Sequence, residues 1–199
     1  LDTKGRETAY AKECIQGLGI HPVLMDVGLL EKPFVQPDIP REEVARAAGY
    51  DLDLFIRKGD RSGAVKAVQE GGAIVAKLLL REGKLDGAFG MGGGTGTSIA
   101  AFIMRSLPFG LPKMVVSTVA SRNIREFIET KDIVMFHSVA DLLGSNAFLR
   151  LILGQACHAI CGMIEKGSTL HKEKPMIAVT AYGINSTCAL LAEPQLQKR

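Results

Sequence analysis

The chain has 199 residues, 24 of them Lys or Arg and 21 Asp or Glu, for a net charge of +3. The length suits one generous α/β domain or one domain and the start of another, and the small, dispersed charge argues against direct nucleic-acid binding. Hydrophobic residues make up 47% with no Trp, so Leu, Ile, Val, Ala and Met must fill the core. In chain order, residues 7–18 carry apolar side chains at helical spacing and stop at Gly19. Residues 21–27 predict a short strand through Val23, Leu24 and Met25 that ends on Asp26. A loop with three prolines spans 28–40, a short helix runs from 41 to 48, and 51–61 reads as loop with room for one helical turn or two. A long helix follows over 62–82, with Ser62 as N-cap and Gly83 as stop. Then come a strand over 85–91, a helix over 97–107, a strand over 113–119, a short helix over 123–129 and a strand over 132–137. The longest apolar helix is expected over 145–166 and the last clear strand over 176–180.

Strands alternate with helices, and the central ones are continuous apolar runs. That pattern predicts an open, mostly parallel α/β sheet, Rossmann-like, with helices on both faces. The polar stretch 166–174 is the best boundary, which gives a nucleotide-binding unit over 1–170 and the opening of a second α/β subdomain over 171–199. The chain opens on Leu1 with a loop-like Leu1-Asp2-Thr3-Lys4-Gly5 before a helix, and stops inside the helical pattern 188–196. It reads as a fragment that begins after a strand and ends early.

No run of 18 or more apolar residues is seen in the sequence, since Lys77 and Arg81 break the stretch 73–80, so no membrane span is expected. Neither a signal peptide nor a disulfide framework is legible. Cys14, Cys157, Cys161 and Cys188 lie in or beside helical patterns, and a reducing cytosolic location is expected. Cys157, His158 and Cys161 read as buried thiols beside a tolerated His, not as a metal site.

The chemistry concentrates in Gly90-Met91-Gly92-Gly93-Gly94-Thr95-Gly96-Thr97-Ser98, between a strand and a helix. Five glycines in seven positions are costly in backbone entropy and persist where backbone must turn tightly or approach another group closely. The following helix offers free N–H groups and a positive dipole end to a phosphate, and Thr95, Thr97 and Ser98 add hydroxyls. The bland alternative is a tight turn without a ligand. A Walker-type P-loop would need a Lys before the Ser or Thr, and none stands there. A dinucleotide site would want an acid about 20 residues on, where Ser117-Thr118-Val119-Ala120-Ser121 has only hydroxyls. Lys4 could neutralise phosphate charge, and Asp26 could take ribose hydroxyls or simply cap a loop. His137 and Asp141 form the one conceivable catalytic dyad, though no nucleophile accompanies them.

Three stretches carry a resemblance: Leu1 to Gly5, Gly90 to Ser98, and Pro112-Lys113-Met114-Val115-Val116-Ser117-Thr118-Val119-Ala120-Ser121. Through them, and through Asp38-Ile39-Pro40-Arg41-Glu42 and residues 132–146, the chain resembles the tomato mosaic virus resistance protein family, uncharacterised protein family 0261. The resemblance implies a two-subdomain Rossmann-like unit that binds ATP and forms a homodimer, and Mg²⁺ is expected only because ATP usually arrives with it. It implies nucleotide contacts on Asp2, Thr3, Lys4 and Gly5, on Gly92, Gly93, Gly94, Thr95, Gly96, Thr97 and Ser98, and on Ser117, Thr118 and Ser121. Plant relatives are linked to inhibition of viral replication through a viral replication protein, so a protein partner is expected as well. Thr95 stands where the family pattern would have glycine, which tightens the loop or adds a hydroxyl. The leading expectation is a nucleotide-binding protein. The alternatives are an enzyme acting on a small phosphorylated or carboxylated substrate and a nucleotide-sensing regulatory protein.

Overall fold

The computed structural model describes residues 1–144, 146–167, 183–184 and 186–197. The chain divides into two compact units, Leu1–Thr169 and Leu170–Arg199. In the first, helices α1 (Gly5–Gly17), α2 (Arg41–Ala47), α3 (Leu52–Arg57) and α4 (Arg61–Arg81) come before any strand. Then β1 (Ala88–Gly92), α5 (Gly94–Arg105), β2 (Lys113–Ser117), α6 (Arg125–Ile128), β3 (Val134–His137) and α7 (Ala147–Lys166) alternate. The second unit holds α8 (Ser186–Gln197), whose Ser186 hydroxyl donates to the Gly183 carbonyl at 2.7 Å. The strand expected over 176–180 lies outside the described residues.

The three strands form one parallel sheet in the order β1-β2-β3. β2 is buried at all five positions, as its unbroken Met-Val-Val run requires in a sheet covered on both faces. On one face Met114 and Val116 pack with Leu149, Leu153 and Ile160 of α7 and with Ile15 of α1. On the other, Val115 meets Met104 of α5, and α4 joins α5 through Ala67, Val68, Ile99 and Ile103. Each fully buried Val, Leu or Ile here contributes roughly 1.5–3 kcal/mol of transfer free energy. The fold is therefore α/β, open, parallel and Rossmann-like.

Several boundaries differ from the sequence reading for local reasons. Residues 21–27 are not a strand: they make one isolated parallel bridge, Met25 to Ile39. Ile39 is the pairing centre, taking the Asp26 N–H at 2.9 Å and donating to the Leu24 carbonyl at 3.0 Å, and the opposite side of the segment has no strand beside it. The ambiguous stretch 51–61 contains α3, capped by Asp51, which accepts from Leu54 N–H at 3.3 Å. α4 starts one residue before Ser62, because the Asp60 carboxylate takes the Gly63 N–H at 2.9 Å. Asn146 caps α7 in the same way, accepting from Leu149 N–H at 2.9 Å.

α7 also bears on the expectation of no membrane span. It has 20 residues, and an 18-residue stretch of it has a mean hydropathy of 1.6, so it is long and apolar enough to cross a membrane by length and composition. One face, from Leu149 to Cys161, belongs to the core on β2.

Candidate functional site

Parallel pairing places Gly92, Ser117 and His137 side by side at the carboxyl end of the sheet, the edge at which open α/β folds take ligands. α5 begins at Gly94, three residues earlier than sequence spacing suggests, so the glycines build the first turn of the helix itself. Its first backbone bond runs from Thr97 N–H to the Gly93 carbonyl at 2.8 Å. The amides of Gly94, Thr95 and Gly96 therefore precede any intrahelical partner, and Gly93 brings no side chain to cap them.

Packing accounts for some of these glycines. A Cβ at Gly90 would sit 2.8 Å from the Ala100 methyl, and one at Gly92 would sit 2.8 Å from Gly96 Cα. At Gly96 it would lie 3.3 Å from the Met91 carbonyl oxygen. Gly93 and Gly94 are different. A Cβ at Gly93 would meet only Thr118 Oγ1 at 3.7 Å, an ordinary contact, and one at Gly94 would meet nothing. The Gly93 backbone, with φ −78° and ψ −159°, is open to any residue. Neither glycine is required by the fold.

The hydroxyls divide into two groups. Thr97 and Ser117 are both fully buried and bond each other at 2.7 Å, and Thr97 also reaches the Gly92 carbonyl at 3.3 Å. They lock α5 to β2. Thr95 lies at the open helix end, where its hydroxyl accepts from the Arg61 guanidinium at 3.4 Å. Ser98 takes the Gln69 amide at 3.2 Å, and Ser121 is exposed on the turn after β2. Arg61, from the start of α4, is the cation that sequence reasoning did not assign to this site. No local motif announces it, because Arg61 is 34 residues away in sequence from Thr95.

The Asp2 to Gly5 segment reaches the same edge, and Leu1, Thr3 and Lys4 share one cavity wall with Gly92, Gly93 and Gly96. Asp2 organises the loop: its carboxylate accepts from Leu29 N–H at 3.0 Å and Leu30 N–H at 2.8 Å. Burial pushes the Asp2 pKa up, but the Leu30 and Thr3 amides outweigh it, and the net shift is downward. Gly5 is pressed against Phe34, where a Cβ would come within 2.2 Å of the ring-bearing carbon. Thr3 is exposed. The Lys4 ammonium donates to the Leu142 carbonyl and lies 3.8 Å from Asp141, tying this segment to the loop after β3. Asp26 is 1% exposed and takes both the Gly28 N–H and the Leu1 amino group at 2.9 Å, so it ties its own loop to the first residue.

In the loop after β3, Val139 holds φ +63°, a conformation that a β-branched residue adopts only under strain. Ser138 supports it from below, fully buried and donating to the Ala140 carbonyl at 2.6 Å. Asp141 is directed to Lys4, and among the described residues no bond joins it to His137. Cys157 and Cys161 are buried, with the Cys157 thiol pushed up to about 12 by burial, which keeps it protonated and inert. No group of three or more His, Cys, Asp or Glu that could hold a metal ion occurs among the described residues.

A family model described as the N-terminal domain of an uncharacterised protein family, UPF0261, matches residues 1–169. A UPF0261 protein of Clostridium tetani is 37% identical over 198 residues, 99% of this chain and 49% of that protein. One from Rhizobium meliloti is 38% identical over 187 residues, 94% of this chain and 46% of its own length. The tomato ToMV resistance protein Tm-1(GCR237) is 36% identical over 123 residues, 59% of this chain and 16% of that protein. The chain thus spans about half the length of the bacterial relatives.

Proposed function

The chain belongs to the UPF0261 family through its N-terminal domain, and on that premise we propose that it binds a nucleotide, ATP, by its phosphates at the glycine-built start of α5. The observation that carries this is the pair Gly93 and Gly94. Neither a turn nor a packing contact needs them, so what they leave room for lies outside the chain's own fold. A phosphate is the group that suits the space, because three amides without helical partners and a helix dipole converge there. Arg61 beside Thr95 adds a cation, and the Thr118 hydroxyl lies next to Gly93. ATP in particular follows from the family resemblance, as do the homodimer and a protein partner. Mg²⁺ would arrive on the phosphates.

The roles then separate. Gly94, Thr95 and Gly96 donate backbone N–H groups, Arg61 balances charge, and Thr97 with Ser117 holds the loop in shape. Asp2 and Lys4 fix the neighbouring walls. Titration calorimetry with ATP on Gly93→Val checks the assignment, since this position tolerates a Cβ sterically. We expect ATP affinity to fall at least ~100-fold while the melting temperature stays within about 2 °C of the parent. Unchanged affinity would remove the glycine loop from the site.

A further inference from the structure

Phe34 is a large aromatic side chain left in solvent on a loop that is otherwise held fast. It is 60% exposed, and Leu30 in the same loop is 63% exposed. Exposed apolar residues scattered singly are ordinary. These two differ in what anchors the backbone beneath them. The Asp2 carboxylate takes the Leu29 and Leu30 amides, and the Arg41 guanidinium donates to the Glu31 carbonyl at 2.8 Å. The Phe34 N–H donates to the Leu1 carbonyl at 3.2 Å. Gly5, at the start of α1, gives up its own side chain to seat this residue: a Cβ there would lie 2.2 Å from the Phe34 Cβ and 3.1 Å from its Cγ. The Arg6 guanidinium stands over the ring, 5.7 Å from its centroid. The stem of Phe34 is thus fixed from several sides, while most of the ring adds nothing to the core. A ring held that way is shaped for a group from outside the chain.

Its place in the fold narrows what that group is. Phe34 meets Leu1 and Gly5, the two ends of the segment whose Thr3 and Lys4 share a cavity wall with Gly92, Gly93 and Gly96. A nucleotide whose phosphates rest on the first turn of α5 extends its uncharged, flat base away from those amides. We propose that Phe34 is the base platform of this site, the purine stacking on its ring while the phosphates lie at Gly93 and Gly94. The inference rests on the phosphate reading of α5 and adds to it the group that recognises the other end of the ligand. Stacking reads the size of the π-face and not its hydrogen-bonding edge, so the platform favours purines over pyrimidines. On this assignment ATP binds more tightly than UTP, and the difference disappears when the ring is removed.

Tripolyphosphate carries the phosphates without a base, so it separates this proposal from the one beneath it. In titration calorimetry on the full chain, Phe34→Ala should weaken ATP roughly 10-fold and leave tripolyphosphate unchanged, while Gly93→Val weakens both. Phe34→Trp should restore ATP affinity. Because the chain has no Trp, that indole also reports the stack directly: ATP quenches its fluorescence and saturating tripolyphosphate does not. Unchanged ATP affinity in Phe34→Ala, or an equal loss for both ligands, would overturn the platform and leave the phosphate site standing. A parent chain that binds neither ATP nor tripolyphosphate would remove the phosphate site, and the platform with it.

Discussion

Lys113 is a charged residue that belongs to the core. It opens an apolar strand and looks like a solvated end, yet its side chain is fully buried. The ammonium donates to the Pro108 and Leu111 carbonyls, each at 2.7 Å, and pairs with Asp132 at 2.9 Å. Asp132 in turn takes the Gly110 N–H at 2.7 Å, so the turn before β2 and the start of β3 are held by one cation. Replacing it with Met keeps the stem and strands three acceptors; urea unfolding should show a loss of about 3 kcal/mol. The loss should carry a pH signature. Burial raises the Asp132 pKa, but the Gly110 amide and Lys113 outweigh it and leave it below 3.8. Its contribution is therefore full above pH 3.8 and fades as pH falls through the lowered value. The gap between Lys113→Met and the parent should narrow in that acid range, and a gap independent of pH would mean that packing, not charge, is at stake. No spacing rule brings residue 113 to residue 132; only the parallel pairing of β2 with β3 does.

At the scale of elements, helix existence was legible and helix contacts were not. Apolar periodicity marked α1, α4, α5 and α7, because each needs one buried stripe. Starts were misplaced where a carboxylate or a glycine, not the expected Ser or Thr, set the first turn, as at Asp60 and Gly93. The crossing of α2 over α4 left only a Gly-Gly pair as its trace. A Cβ at Gly71 would lie 1.8 Å from the Val44 carbonyl oxygen, backbone that cannot turn aside. Helix propensity alone would favour Gly71→Ala by up to ~1 kcal/mol. Overpacking against backbone costs about 1–3 kcal/mol and more when nothing can give, so the substitution should destabilise the chain. A Gly71→Ala protein that melts higher than the parent would show that the two helices separate without cost.

For the whole molecule, the alternation of strands and helices gave the parallel α/β class, since continuous apolar runs such as Met-Val-Val are compatible with few other environments. The glycine loop was legible as a place of close approach. Which glycines serve the fold and which leave room was not, because that depends on Ala100, Gly96 and Met91 across the turn. The segment 21–27 failed as a strand for a reason sequence cannot express: a strand needs neighbours on its edges as well as a suitable pattern.

In the order β1-β2-β3, β1 stands at the edge of the sheet among the described residues, which has a consequence for handling the protein. Unpaired N–H and C=O groups beside apolar side chains are a template for any other exposed strand, including the same strand of another molecule. Self-association through β1 would register in solution as a dimer or larger species whose population climbs with concentration, and it could be mistaken for the homodimer expected of the family. Sedimentation velocity on the parent and on Phe89→Pro, which withholds an edge N–H that does not bond to β2, separates the two. Association that disappears in the proline variant is edge-to-edge adhesion, a precursor of aggregation; association that persists uses a surface elsewhere. Solubility, then, and not only shape, hangs on whether the edge of β1 is covered.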